Sequence, residues 1–119
     1  MSAFSQKEFN DEVKRAIDGI ICGIVGQDVL DSLHNHLETR YGITPDEIPY
    51  RVDTLFEILE NAIGVAGAKS LSRAIAREVY YGYNIDFRPL YEYTLQGYLE
   101  QAKRLLQQVA GDVPAAKQL

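Results

Sequence analysis

The sequence predicts an all-α protein, a compact bundle of about five helices with a proline-containing elbow at residues 42–53. Three observations support this fold class. Apolar residues recur at helical spacing in five separate segments of the 119-residue chain. Prolines and helix-capping residues fall at the boundaries of these segments. The one strand-like run, residues 19–26, continues the helical pattern that precedes it and has no partner strand elsewhere in the sequence.

The first helix is expected to begin near Ser5, because Glu8 follows at capping-box spacing. Cys22, the only cysteine, is expected to be a small buried residue in the apolar second half of this helix. Gly26 is expected to end the helix. The predicted core-facing residues are Phe9, Val13, Ala16, Ile17, Ile20, Ile21 and Ile24.

The second helix is expected to be capped by Asp28 and to carry both histidines. His34 and His36 are two residues apart, so they point to opposite sides of a helix and cannot bind one metal ion together. His34 shares a face with Asp31 and Glu38, but one imidazole and two exposed carboxylates are a poor zinc site. No metal site is therefore predicted. The apolar face comprises Val29, Leu30, Leu33, Leu37 and Tyr41.

The elbow at residues 42–53 is predicted mainly from its two prolines. Pro45 and Pro49 cannot donate backbone hydrogen bonds, so a regular helix should not run through them. Gly42 suits the position after a helix, and Thr44 is placed to cap a short turn that begins at Pro45. Asp53 is expected to cap the next helix or to lie in its first turn. The expected buried anchors of the elbow are Ile43 and Ile48.

Gly64 divides the next stretch into a third and a fourth helix, with a tight turn expected over residues 64–68. The third helix carries Val52, Leu55, Phe56, Leu59, Ala62 and Ile63, and the fourth carries Ala68, Leu71, Ile75 and Val79. Lys69, Arg73 and Arg77 are four residues apart and form one basic stripe. The stripe is either an ordinary solvated face or a surface for an acidic or phosphorylated protein partner.

Most of the aromatic residues lie between residues 80 and 98. They predict either a core or dimer contact, or a pocket for a flat ligand. In the second case, which is the alternative function, the protein is a sensor of a small molecule or a haem-type cofactor. The candidate ligand-binding residues are then His34, His36, Tyr80 and Tyr83.

The last helix is expected to be capped by Asp86, with Pro89 in its first turn. Its wide apolar face suits burial in a bundle or across a subunit interface. The candidate dimer-interface residues are Tyr91, Leu95, Tyr98, Ala102 and Leu105. Residues 1–111 are predicted to form one domain, and residues 112–119 a flexible tail.

Composition narrows the function classes. The net charge of −5 argues against a nucleic-acid-binding protein. No apolar run approaches the ~18 residues that span a bilayer, and the first residues lack the pattern of a signal peptide, so a cytoplasmic location is expected. There is no nucleophile–base pair, cofactor loop or metal cluster at a meaningful spacing, so neither an enzymatic activity nor a cofactor is predicted.

Residues 33–87 resemble an archaeal output-type domain, the one named after Nitrosopumilus. The likeness lies in the order and spacing of short matches at residues 36–38, 41–43, 46–49, 59–64, 67–69, 79–80 and 84–87. The resemblance implies an all-helical regulatory or signalling module without known enzyme activity. The function expected from the sequence is thus a non-enzymatic interaction module that forms a homodimer through its C-terminal helix.

Overall fold

The computed structural model describes residues 4–89 and 94–112, with the backbone alone for 109–112. Every regular element in these ranges is a helix, which confirms the predicted fold class. Gly64 divides the helical segment Val52–Gly82 because its backbone angles are non-helical. The elements are α1 (Gln6–Val25), α2 (Gln27–Tyr41), a 3-10 helix (Pro45–Tyr50), α3 (52–63), α4 (65–82) and α5 (Leu95–Asp112). In the described ranges, no helix is long and apolar enough to cross a membrane.

Two of the helix junctions consist of a single glycine. Gly26 joins α1 to α2 with φ 97° and ψ 162°, and Gly64 joins α3 to α4 with φ 86° and ψ 167°. These angles belong to a region that is almost restricted to glycine. The predicted helix ends at both glycines are therefore confirmed, but two details are wrong. Asp28 lies in the first turn of α2 instead of capping it, and residues 65–68 are already helical.

The elbow is the 3-10 helix Pro45–Tyr50, flanked by short connections. The backbone N–H of Thr44 donates a 2.9 Å hydrogen bond to the Glu47 carboxylate, as expected for a capping box. The helix is longer than the predicted single turn and includes Pro49. Ile43 and Ile48 are buried beneath it, which confirms them as its anchors. Asp53 lies in the first turn of α3, the second of its two predicted positions.

The core lies mainly between α1, α4 and α5, and α2 adds Leu30 and Leu37. The buried residues follow the predicted apolar faces over most of their length. At the start of α1, Ser5 accepts a hydrogen bond from the backbone N–H of Glu8, so the predicted capping residue is confirmed. Cys22 is only partly buried. The buried residues of the three main helices are Phe9, Val13, Ala16, Ile17 and Ile21 of α1, Ala68, Leu71, Ser72, Ile75, Ala76, Val79 and Tyr80 of α4, and Leu95, Tyr98, Leu99 and Ala102 of α5.

The predicted start of the last helix is wrong. Helix α5 begins at Leu95, and the Thr94 hydroxyl accepts a hydrogen bond from the Gly97 backbone N–H. Residues 85–89, which include the predicted cap Asp86, have no regular secondary structure. The Phe87 ring packs against the rings of Tyr80 and Tyr98 at centroid distances of 5.3 and 5.2 Å. This packing holds the stretch against the core outside any helix.

Candidate functional site

Five exposed aliphatic side chains occur where α1 meets α2 and where α3 meets α4. Ile24 is 62% exposed and Val65 is 58% exposed, although both belong to apolar runs. Together the five side chains leave roughly 400 Å² of apolar surface open, which lies in the range of the largest apolar patch on a typical monomer, a patch that is often functional. We call this surface the apolar end; it comprises Ile24, Val25, Val29, Ile63 and Val65.

The two junctions lie at the same end of the molecule because α1 and α4 are antiparallel. The Phe9 ring stacks on the Tyr83 ring at 5.8 Å, so the start of α1 meets the end of α4. A Cβ atom at Gly82 would lie 2.7 Å from the Glu12 carboxylate, which gives the same register. At ~1.5 Å per residue, α1 extends roughly 20 Å beyond Glu12 and α4 reaches back roughly 26 Å from Gly82. The α1–α2 junction and the α3–α4 junction therefore lie at similar positions along the axes of these two antiparallel helices.

Two segments of the apolar end carry no charged residue. No charged residue occurs in residues 19–27 or in residues 61–68. On the outer face of α1, a Cβ atom added at Gly19 or at Gly23 would meet no other atom within 4 Å. A neighbouring molecule that covers these two segments buries no charge within them, and Asp28, which precedes Val29, is an exposed charge beside the surface.

Two sequence predictions about residues of the apolar end are wrong. Ile24 and Ile63 were predicted to face the core, yet both are exposed. Their angular positions on the helices fit the core-facing side, but they lie in the last turns, beyond the main core. Val29 and Tyr41 of α2 and Ala62 of α3 are likewise exposed at the edges of their predicted faces.

The predicted dimer interface on α5 is largely occupied by the chain itself. Leu95, Tyr98 and Ala102 are at most 1% exposed because they pack into the core. Leu105 is half-buried, and Tyr91 lies outside the described residues. In this fold the first three residues have almost no surface left to offer to a second copy. The breadth of the apolar face reflects burial within the bundle.

The predicted ligand-binding residues lie on different helices. Tyr80 is buried, and its hydroxyl donates a 2.8 Å hydrogen bond to the Tyr98 carbonyl. Tyr83 is partly buried near the end of α4. The histidines lie on α2, which packs mainly on α1. Tyr80 thus packs in the core, and the ligand pocket stays a prediction.

The histidines have separate environments on α2. His34 Nε2 lies 3.0 Å from the Asp18 carboxylate of α1, so its neighbour differs from the Asp31 and Glu38 predicted from sequence spacing. The His36 ring packs edge-on against the Tyr41 ring at 5.8 Å. Among the described residues there is no group of three or more histidine, cysteine or acidic side chains that could hold a metal ion.

A small polar cluster surrounds the end of α4. Burial raises the pKa of the Tyr83 hydroxyl above its ordinary value, and the negative charges of Glu12 and Glu8 raise it further. Glu12 also forms an ion pair with Arg15 and raises the pKa of that guanidinium through their hydrogen bond. Glu12 and Glu8 of α1 thus lie close enough to the end of α4 to act on the Tyr83 hydroxyl.

The basic stripe is exposed along α4, as a solvated face requires. Lys69, Arg73 and Arg77 are all exposed. The acidic or phosphorylated partner stays a prediction. Lys69 differs from the two arginines in position, because it also borders a cleft between α3, α4 and the start of α5.

That cleft was not predicted from the sequence. It has a volume of about 440 Å³, in the range of small-molecule sites. Asp53, Glu57 and Glu60 line it from one face of α3. Their spacing of four and three residues was the available signal, since such spacing places side chains on one helix face. We call it the acidic cleft; its other lining residues are Phe56, Ala68, Lys69, Ser72, Thr94 and Gln96.

Comparisons of the chain with family models, with curated proteins and with solved structures found no match. The resemblance to the Nitrosopumilus-type output domain therefore stays a prediction.

Proposed function

We propose that the protein is a non-enzymatic regulatory interaction module that self-associates through its apolar end. The observation that carries the proposal is the exposure of Ile24, Val25, Val29, Ile63 and Val65 at one end of the molecule. Burial of this surface stabilises an assembly by the hydrophobic effect. The sequence expectation of a homodimer is kept, but the contact surface moves from α5 to the two glycine junctions.

A second copy is the partner that this surface fits best. The protein carries a net charge of −5, so two copies repel each other at most surfaces. The uncharged segments 19–27 and 61–68 avoid that repulsion locally. A two-fold symmetric contact places the same patch on both sides, which suits an uncharged and self-complementary surface. The apolar area of roughly 400 Å² is about half of what one partner buries in a standard interface, so a weak dimer is expected.

Sedimentation equilibrium over a range of concentrations tests the proposal. The wild type should shift from monomer to dimer as the concentration rises. Ile24→Glu and Val65→Glu should each shift the equilibrium towards monomer, because a C2 contact brings the new charge close to its own copy or into an apolar surface. Circular dichroism spectra should stay unchanged, since both side chains are exposed.

The matched control is Tyr81→Glu. Tyr81 is 64% exposed, close to the value for Ile24, but it lies at the opposite end of α4. The control should dimerise like the wild type. A wild type that stays monomeric at millimolar concentration refutes the proposal, and so does a control that dissociates as readily as the two junction variants. Removal of residues 88–119 is not a suitable test, because it deletes the buried residues Leu95, Tyr98 and Ala102.

A further inference from the structure

A groove follows α1 where the 3-10 helix packs on it. Two adjoining cavities form this groove, with volumes of about 310 and 340 Å³. One cavity extends towards α5, and the other follows α1 as far as Lys14. Gln6 and Lys14 are eight residues apart, so the groove is roughly 12 Å long along the helix axis. We call it the elbow groove; the residues that line both of its cavities are Gln6, Asn10, Pro49 and Tyr50.

The side-chain amide of Asn10 is a hydrogen-bond donor without a partner in this groove. Its Nδ2 atom is buried and donates to no described residue. Its Oδ1 atom accepts a 2.9 Å hydrogen bond from Gln6 Nε2, so the acceptor side of the amide is already used. Burial of a polar group without a partner is unfavourable, and such a group in a native protein calls for an explanation. A ligand that carries an acceptor into the elbow groove supplies one.

The side chains beside Asn10 in the groove can move without disturbing the core. Tyr50 is 65% exposed, and Gln6 is exposed as well. Asn10 itself is only partly buried. Exposed side chains change rotamer within picoseconds to nanoseconds. A ligand that displaces these two surface side chains can therefore reach Nδ2 while the core keeps its packing.

The charges around the groove nearly cancel, which favours an uncharged ligand. The cavity towards α5 is lined by Asp53, Glu100 and Lys103. The cavity along α1 is lined by two lysines and two aspartates, of which one lysine and one aspartate form an ion pair with each other. An ion of either sign would meet like charges in both cavities. The acceptor that fits Asn10 is therefore an uncharged oxygen, such as a peptide carbonyl.

An exposed aromatic ring beside this donor favours a polypeptide ligand that contains proline. Proline-rich segments bind to grooves lined by aromatic side chains, because their polyproline II conformation is formed before binding. Tyr50 offers such a ring next to Asn10. The polyproline II backbone has no internal hydrogen bonds, so its carbonyls are free to accept from Nδ2. At ~3.1 Å per residue, four residues of this conformation span roughly 12 Å, which matches the groove.

We propose that the elbow groove binds a proline-containing segment of a partner protein in the polyproline II conformation. One backbone carbonyl of the segment accepts a hydrogen bond from Asn10 Nδ2, and a proline ring packs on Tyr50. The groove lies at the start of α1, whereas Ile24 of the apolar end lies near the end of that helix. The site thus adds a second protein contact to the proposed self-association and does not depend on it.

NMR spectroscopy of the ¹⁵N-labelled protein tests the site, with acetyl-tetraproline amide as the probe. The peptide should shift the side-chain amide signals of Asn10 and the backbone signals of Gln6 and Tyr50. A Kd of about 1–10 mM is expected, because the contact consists of one hydrogen bond and one ring packing. Acetyl-tetraalanine amide lacks the proline rings and should bind at least about fivefold more weakly. Absence of shifts at the groove with about 20 mM tetraproline overturns the proposal, and so does equal affinity for the two peptides.

Two variants test the hydrogen bond and the ring contact separately. Asn10→Asp keeps the shape of the side chain but replaces the donor, and Tyr50→Ala removes the ring. Each should weaken tetraproline binding at least about fivefold. Because Tyr50 is exposed, Tyr50→Ala should fold like the wild type and tests the groove even if Asn10→Asp does not fold.

The matched controls make the same chemical changes outside the groove. Asn35→Asp alters an exposed residue of α2, and Tyr81→Ala alters a tyrosine that is 64% exposed on α4. Neither residue lines the elbow groove, so both variants should bind tetraproline like the wild type. A control that loses as much affinity as its groove counterpart overturns the proposal. A loss with Tyr50→Ala but none with a folded Asn10→Asp overturns it as well, since the donor then has no part in binding.

Discussion

The single-glycine junction between α3 and α4 makes a specific prediction about stability. Gly64 has φ 86° and ψ 167°, a conformation in which other residues are strained whatever space surrounds them. A Cβ atom at this position would meet no atom within 4 Å. The cost of Gly64→Ala is therefore a backbone cost alone, without a steric clash.

The magnitude follows from the type of strain. A residue held in such a region costs about 1–3 kcal/mol. The smaller conformational freedom of alanine in the unfolded state offsets part of this by about 0.4–1 kcal/mol. We therefore expect Gly64→Ala to lower the free energy of unfolding by about 1–2 kcal/mol. For a domain of this size, that loss corresponds to a fall in Tm of roughly 3–10 °C.

Urea unfolding followed by circular dichroism measures the effect, and Gly19→Ala is the matched control. Gly19 lies inside α1, also with open space around it, but without a positive φ. Alanine in a helix interior is favoured over glycine by roughly 0.5–1 kcal/mol. The same chemical change should thus stabilise the protein at Gly19 and destabilise it at Gly64. Equal signs at the two positions would refute the inferred role of the junction.

Two further predictions concern tyrosine hydroxyls. Tyr80→Phe should lower the free energy of unfolding by about 1 kcal/mol, because it removes the buried hydrogen bond to the Tyr98 carbonyl; Tyr81→Phe, which changes an exposed side chain, should have no effect in the same urea titration. Tyr83→Phe should alter the pH dependence of unfolding. The raised pKa of Tyr83 favours its neutral form in the folded state, so its stabilising contribution is complete below pH 10.0 and is lost as the pH rises through the folded-state pKa. The difference in stability between wild type and Tyr83→Phe should therefore become less favourable to the wild type as the pH rises above 10.0, and a constant difference would contradict the assignment.

The sequence was most informative where structure depends on local chemistry. The Ser5 cap and the helix breaks at Gly26 and Gly64 each follow from the preferences of a few neighbouring residues. The start of α5 was predicted too early because Asp86 and Pro89 have favourable local features for a helix start. In the structure, packing of Phe87 on the core outweighs these features.

Periodicity predicted which side of a helix is apolar but not how far along the axis the core extends. Ile24 and Ile63 fit the apolar faces, yet they lie near the helix ends and remain exposed. The same limit applies to α5, where a wide apolar face is compatible with burial by its own chain or by a second copy. The position of Leu95 and Tyr98 inside the core is a tertiary property that periodicity does not contain. The acidic cleft was missed for a related reason, since it forms between separate helices.

The exposed aliphatic residues are not required by the junction geometry. A junction of one glycine has no loop residues to cover the adjacent helix ends, so the side chains of those turns face solvent. Polar side chains suit such positions equally well, as Asp28 in the first turn of α2 illustrates. The chain nevertheless has isoleucine and valine at five exposed positions around two junctions at the same end. Because exposed apolar surface favours association in water, the proposed contact with a second copy would account for both the composition and the location of this surface.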